Sequence, residues 1–329
     1  MAGRVEEFAA AHGWAGAAVV PLAADASFRR YFRLTYGAES ALVMDAPPAK
    51  EDVRPWLRLA RHLCALGYSA PRVLAADEDA GLVLIEDLGD DTFTRLLARG
   101  ENEAALYELA VDVLIDLHRR PAAEAVPAGL PPYDDARFLD EAALLTDWFL
   151  PAMGAAPAPD VRAAYLAAWR AALPAARKVP ETLVLRDYHV DNLMLLPVRA
   201  GVARCGLLDF QDALRGPTAY DFVSLVEDAR RDIPDDLRAA CRTRYLAAFP
   251  ALDAATFDAA CAVLGAQRHA KVIGIFTRLR VRDGKAQYLG HIPRVWRLLE
   301  RALPHPELAP VRGWFDACVP KTLRTAPPQ

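Results

Sequence analysis

Leu183-Val-Leu-Arg-Asp187-Tyr-His-Val-Asp-Asn192 is a short apolar run that ends in a cluster of polar side chains, the pattern of a buried strand opening into a turn. Farther on, Gly206-Leu-Leu-Asp209-Phe-Gln211 repeats it, an apolar piece closing on a carboxylate. Phosphoryl transfer from ATP needs this inventory: one carboxylate to orient a hydroxyl nucleophile and take its proton, and an amide oxygen with a second carboxylate to hold magnesium against the phosphates. Taken singly, an Asp and an Asn after a strand are common turn formers.

Upstream, the chain from Ala17 to about Leu88 reads as short β-like runs broken by turns: Ala18-Val-Val-Pro-Leu, Phe28-Arg-Arg-Tyr-Phe-Arg-Leu, Ser40-Ala-Leu-Val-Met, Arg72-Val-Leu-Ala and Gly81-Leu-Val-Leu-Ile-Glu. One helix interrupts them, because Val53, Trp56, Leu57, Ala60, Leu63 and Cys64 recur at three- and four-residue spacing and Gly67 stands just past the end. After Gly89 helices dominate. Leu106 to Leu117 form an apolar stripe ending near His118 and Pro121, the Ala/Pro-rich stretch 121–132 reads as a surface connection, and further helices are expected over 142–150, 161–176, 237–249 and 257–279.

Composition narrows the function. The chain has 329 residues, 53% hydrophobic and 25% charged, with 39 Lys and Arg against 43 Asp and Glu, so it is globular and lacks the basic field of a nucleic-acid binder. Its five cysteines are scattered and never spaced as Cys-x-x-Cys, so they are expected to be reduced core residues rather than disulfides or zinc ligands. The N-terminus lacks an apolar signal core and no stretch is long enough to span a membrane, so a cytoplasmic protein is expected, acting as a monomer without nucleic-acid or membrane partners.

The ordered set Asp187, Asn192, Asp209 and Arg215-Gly-Pro-Thr-Ala-Tyr-Asp221 resembles the aminoglycoside phosphotransferase-like branch of the protein-kinase-like fold. In that family the Asn follows the catalytic Asp by five residues, as Asn192 follows Asp187, and an Asp on the next strand binds metal. The resemblance implies an α+β, two-lobed kinase-like fold, with a small antiparallel-sheet, nucleotide-binding N-lobe over 1–88 and a mostly helical C-lobe over 89–329 carrying the catalytic loop and acceptor site. It implies ATP and Mg²⁺, with Asp187 as base, Asn192 and Asp209 as metal ligands and Asp221 bracing the catalytic loop. Asp25-Ala-Ser27-Phe28-Arg29-Arg30-Tyr-Phe-Arg33 lies where the family's phosphate-covering hairpin belongs, although it has no glycine. Its backbone amides at Ser27 and Phe28, the Ser27 hydroxyl and the charge of Arg29 or Arg30 are the candidates for phosphate contact. Leu84-Ile-Glu86-Asp-Leu88-Gly89 resembles the hinge whose backbone groups, at Glu86 and Leu88, meet adenine, and Leu114-Ile-Asp-Leu-His118 resembles the Leu-His ending of the following helix. One departure is plain: Met44 stands where these kinases carry the strand lysine that contacts phosphates. Lys50, beyond two prolines, is too far along to replace it, and an arginine of 29–33 is expected to supply the charge.

Within the family, Ala26-Ser-Phe-Arg-Arg-Tyr-Phe-Arg-Leu34, Val43-Met-Asp-Ala-Pro-Pro48, Arg186-Asp-Tyr-His-Val-Asp-Asn192, Asp209-Phe-Gln-Asp-Ala213 and Gly274-Ile-Phe-Thr-Arg-Leu279 resemble the bacterial anomeric kinases of N-acetylmuramic acid and N-acetylglucosamine in cell-wall recycling. An amino-sugar substrate follows from that resemblance. The segment 268–301 has nine Lys and Arg against Asp283 and Glu300. It reads either as a basic outer helix face or, through Lys271 and Arg278, as part of an acceptor site for the lactyl carboxylate of N-acetylmuramate. Glu141, Asp147 and Trp148 are candidates to face the sugar, although a Trp at helical spacing also suits a core. The alternatives are the same transfer to choline, homoserine or an aminoglycoside, and a pseudokinase suggested by Met44.

Overall fold

The computed structural model describes residues 2–22 and 28–328. Its elements, in chain order, are α1 (Ala2–Ala9), β1 (Ala18–Pro21), β2 (Arg30–Tyr36), β3 (Glu39–Asp45), α2 (Arg54–Ala65), β4 (Val73–Asp77), β5 (Leu82–Glu86), α3 (Phe93–Ala98), α4 (Glu103–Arg119), α5 (Ala122–Ala125), α6 (Asp135–Leu144), α7 (Leu150–Ala152), α8 (Pro159–Ala176), β6 (Glu181–Val184), β7 (Leu193–Leu195), β8 (Cys205–Leu207), β9 (Leu214–Pro217), α9 (Ala219–Val226), α10 (Asp235–Ala248), α11 (Ala254–Asp283), α12 (Ile292–Ala302) and α13 (Ala309–Cys318). They form an antiparallel five-stranded sheet followed by a mostly helical remainder, the expected α+β kinase-like fold. Among the described residues no helix is long and apolar enough to cross a membrane.

Two compact units divide the chain, residues 1–113 with 190–213 and residues 114–189 with 214–329. In the first, the strands run β1-β2-β3-β5-β4, all antiparallel. The β2–β3 hairpin closes over Gly37-Ala38, with Tyr36 opposite Glu39 and Gly37 at φ 60°, a conformation only glycine adopts cheaply. Helix α1 seals one sheet face: Val5, Phe8 and Ala9, at helical spacing, pack with Leu34, Ala41, Val43, Leu82 and Leu84. Helix α2 buries Trp56, Leu57, Leu59, Ala60 and Leu63 and stops where expected. Gly67, at φ 90°, lets its own N–H reach Cys64 O and that of Tyr68 reach Leu63 O. The sheet ends at Glu86, near the boundary drawn at residue 88, yet the unit reaches farther. The reason is the β7–β8 hairpin, which bridges to Ser69 through Gly206 and to Thr92 through Met194.

The second unit is organised by α11, thirty residues long and buried on nearly every face between Phe257 and Thr277. Asp253 caps its start by accepting from Thr256 N, and Gly284, at φ 70°, ends it. Helices α6, α8, α9 and α12 pack around it. At Gly274 the approach is so close that a Cβ would fall 2.3 Å from the Leu144 carbonyl carbon. Gly274→Ala is therefore expected to force α6 and α11 apart and to destabilise the protein by about 1–3 kcal/mol, read as a lowered Tm.

Three expectations change in detail. The stretch 121–132 is more than a surface connection, since α5 buries Ala125 and Pro132 bridges to Arg215 beside β9. The helix expected over 142–150 belongs to a longer one that begins at Asp135, runs through a π-helical turn at Leu145–Phe149 and ends at Ala152, because Phe138 and Leu139 extend the buried stripe. All five cysteines are free, as expected, but only Cys205 and Cys241 are buried.

Candidate active site

Asp187 follows β6 in a loop held from below. The buried Asp221 carboxylate, in the first turn of α9, accepts from Leu185 N at 2.6 Å and Arg186 N at 2.8 Å, the bracing role the resemblance implied. Ser224 Oγ, one helical turn on, donates to Arg186 O at 3.2 Å and accepts from Arg268 Nη2 at 2.8 Å. Arg186 takes φ 71°, and Asp209 φ 58°; these are the two non-glycine residues at positive φ among the described residues. Such backbone costs on the order of 1–3 kcal/mol and persists where its surroundings enforce it, here beside two candidate functional carboxylates.

Asp187 remains 45% exposed, with Arg268 Nη2 3.8 Å from Oδ1. Enclosure by the protein would by itself raise its pKa, but Lys271, Arg268, His189 and Arg186 outweigh that and hold the carboxyl below the usual aspartate value. It is thus a carboxylate at neutral pH, ready to accept a hydrogen bond. Because Lys271 is the strongest of these influences, Lys271→Met is expected to raise the Asp187 pKa and to move the acid limb of a kcat–pH profile upward.

Two residues singled out for the sugar meet here. Glu141 from α6 receives Lys271 Nζ of α11 at 3.0 Å and ion-pairs with Arg186, while the Tyr133 hydroxyl donates to Glu141. Tyr220 joins through its hydroxyl, 3.0 Å from that of Tyr133 and 3.4 Å from Lys271 Nζ. Burial favours the acid form of Glu141, but Lys271 and then Arg186 draw its pKa below the ordinary value. Asp147 instead pairs with Arg162, and Trp148 is half-buried beside it.

The basic segment splits. Arg268 and Lys271 turn inward and are buried, whereas Arg294 and Arg297 pair with Asp232, Arg301 with Glu227 and Arg282 with Asp283. Arg278, two turns beyond Lys271 on the same helix face, has no hydrogen-bonded or ion-paired partner among the described residues, and its buried Nε is unsatisfied. Burial, then Arg282, lowers its pKa.

Asp228 and Arg230 escaped sequence reasoning, whereas His189 reads in sequence as a loop-forming residue. Buried His189 places Nε2 3.2 Å from Arg230 Nη1, and burial followed by Arg230 keeps it neutral. Asp228 is buried with Oδ1 on Arg230 N at 2.8 Å and Oδ2 without a hydrogen-bond partner. It lines a cavity of about 280 Å³ with Arg231, Asp232, Arg294, Arg297 and Arg301. His118 is structural: half-buried, it lies 2.7 Å from the Tyr245 hydroxyl, its pKa pushed down to about 3 by desolvation.

The first unit holds the other candidates. Leu208 N donates to Asn192 O at 2.9 Å, tying the segments of Asn192 and Asp209 together. Asp209 Oδ1 accepts from Gln211 Nε2 at 2.9 Å and Arg29 Nη2 at 3.2 Å. An amide and a carboxylate are hard oxygen donors of the kind that suit Mg²⁺. Asp191 accepts from the Thr94 hydroxyl, a loop-fixing bond. Arg29 is buried, whereas Arg30 pairs with Asp45 at 2.5 Å, on which Arg4 also converges. Arg33 pairs with Asp87 at 2.8 Å and Asp90 at 2.9 Å. Phe28 is 64% exposed, with Lys50 Nζ 5.7 Å from its ring centroid. Ser27 lies outside the described residues. Glu86, which burial alone would make a weaker acid, is held below its usual pKa by Arg72 and Arg199. Leu88 is half-buried and packs toward Gly206.

Comparison with known proteins places the chain in a family. The profile of the phosphotransferase enzyme family matches residues 18–257. The chain is similar to an N-acetylmuramate/N-acetylglucosamine kinase of Caulobacter vibrioides, at 37% identity over 96% of each chain. It is also similar to one of Pseudomonas aeruginosa, at 40% identity over 92% of this chain and 90% of the relative. Among solved structures, the ADP-bound aminoglycoside phosphotransferase APH(2'')-Ib superposes with a TM-score of 0.61 at 17% identity, covering 92% of this chain and 99% of that one, which is a likeness of fold. With the family profile covering most of its length and relatives at 37–40% identity over nearly all of it, the chain belongs to the phosphotransferase enzyme family.

Proposed function

We propose that the protein transfers the γ-phosphoryl group of ATP to the anomeric hydroxyl of N-acetylmuramic acid and N-acetylglucosamine, giving sugar 1-phosphates for peptidoglycan recycling. The observation that carries this reading is the Asp187 carboxylate, kept ionised by Lys271 and Arg268 at the end of a strand whose loop is pinned by Asp221. The substrate class rests on relatives named N-acetylmuramate/N-acetylglucosamine kinases at 35–40% identity.

In this mechanism Asp187 accepts a hydrogen bond from the anomeric hydroxyl and aligns its oxygen with the γ-phosphorus. As the new P–O bond forms and the bond to the ADP oxygen breaks, the hydroxyl proton passes to Asp187. Asn192 and Asp209 would hold Mg²⁺, which when bound offsets negative charge on the phosphates. Glu86 and Leu88 lie at the hinge that would meet adenine. Glu141 and Lys271 neutralise one another, so their polar atoms suit neutral hydroxyl and acetamido groups, and the unpaired Arg278 suits a carboxylate. A monomeric, cytoplasmic enzyme completes the proposal.

The test is ADP release with N-acetylmuramic acid, N-acetylglucosamine, choline, homoserine and kanamycin, followed by location of the phosphate on the product. Turnover confined to choline, homoserine or kanamycin would overturn the acceptor, and nucleotide binding without any turnover would favour a pseudokinase. Arg278→Ala is expected to raise KM for N-acetylmuramic acid about tenfold while leaving that for N-acetylglucosamine nearly unchanged, since only the former carries a carboxylate.

A further inference from the structure

Strand β3 has no lysine, and Met44, at the position where the family's lysine belongs, is fully buried. The cation nearest in role comes from the neighbouring strand. Arg29 immediately precedes β2, two residues before Tyr31, which is the cross-strand partner of Met44. Its side chain is 8% exposed, and its acceptors among the described residues include Glu51 Oε1 2.9 Å from Nε, Gln211 Oε1 2.6 Å from Nη1 and Asp209 Oδ1 3.2 Å from Nη2. Arg30 and Arg33 are engaged elsewhere, by Asp45 and by Asp87 with Asp90.

We propose that Arg29 is the phosphate-binding cation of this enzyme and that Glu51 is its positioning partner, an Arg–Glu pair in place of the strand lysine, which in protein kinases is itself ion-paired to a glutamate. The inference rests on the ATP reading above. A guanidinium stays charged at low exposure and its planar fork can serve several acceptors at once, where an ammonium cannot match the geometry. Glu51, just ahead of α2, opposes Arg29 from outside the β2–β3 hairpin, and it was not among the residues the sequence pointed to. The arrangement also gives Gln211 a role. Its amide oxygen accepts from Arg29 while its amide nitrogen donates to Asp209 Oδ1, so one side chain links the cation to the carboxylate. A phosphate oxygen arriving beside Asp209 would find Arg29 already oriented and desolvated.

The experiment is calorimetric titration of ADP, with and without Mg²⁺, into the wild-type protein and the Arg29→Ala, Arg29→Lys and Glu51→Gln variants, with KM measured separately for ATP and for the sugar. Wild-type protein that binds no ADP would sink the ATP reading itself. Given wild-type binding, Arg29→Ala is expected to lose tenfold or more in ADP affinity in both conditions, and its KM for ATP to rise alike, while the sugar KM stays within about twofold. Arg29→Lys should recover only part of that affinity. Glu51→Gln, close in shape and the decisive variant should Arg29→Ala not fold, should lose severalfold. ADP binding as tight as wild type, or tighter, in Arg29→Ala would show Arg29 to be only a counter-ion of Asp209, and the same result in Glu51→Gln would remove Glu51 as its positioning partner; either would overturn the proposal. So would equal rises in the KM of ATP and of the sugar.

Discussion

Asp187→Asn is expected to lower kcat about 10³-fold while the protein still binds ADP with wild-type affinity. The amide has nearly the shape of the carboxylate but neither its charge nor its affinity for a proton, and a positioned acid–base group contributes on the order of 10²–10⁴-fold. The effect should lie well inside that range because Asp187 is held below the ordinary aspartate pKa by Lys271 and Arg268. Such a group serves chiefly to orient the hydroxyl and to meet its proton late. Steady-state kinetics with the two N-acetyl sugars, beside ADP titration, check both halves. A loss below about tenfold would remove Asp187 from the centre of the mechanism.

The largest stability effect is expected at Asp221. Asp221→Ala strips the acceptor from Leu185 N and Arg186 N in a buried place, and each unsatisfied N–H costs about 1–3 kcal/mol, so a loss of about 2–6 kcal/mol should appear in denaturant unfolding. A pH signature separates the carboxyl from its shape. Burial raises the Asp221 pKa to about 7, against the two backbone hydrogen bonds that pull it down. A carboxyl whose pKa is raised on folding gives stability that is complete below its unfolded pKa, near 4, and is lost as pH rises through the folded value. Wild-type stability relative to Asp221→Asn should therefore decline between about pH 4 and 7. A difference independent of pH would mean that the carboxyl ionises alike in both states.

Much of this was legible along the chain because it depends on local order. The strand periodicity of 18–86, the stop at Gly67, the helical change after Gly89 and the spacing of Asp187, Asn192, Asp209 and Asp221 are written in consecutive residues. Helix α1 was missed although Val5, Phe8 and Ala9 carry its face, since three apolar residues in a polar segment are too few to separate an amphipathic helix from a tail. Lys271 and Glu141 could be suspected from charge and position. That they neutralise each other is a fact of two helices crossing at Gly274, more than a hundred residues apart from one to the other.

The sequence by itself determined most of the strands, most of the helices, the order of the candidate phosphoryl-transfer residues and the family to which the chain belongs, because hydrophobic period, turn chemistry and motif spacing are short-range properties, whereas the three- and four-residue strands β7 and β9 are too short to carry a period. Only the tertiary structure decided which charges are spent on one another and which face the chemistry. It set Arg29 between Glu51 and Asp209, paired Arg30 with Asp45, buried Asp221 under the loop of Asp187 and left Arg278 Nε without a hydrogen-bond partner among the described residues. The physical reason is that the state of a charge depends on its desolvation and on neighbours brought from distant parts of the chain, and neither is a property of the residues beside it in sequence.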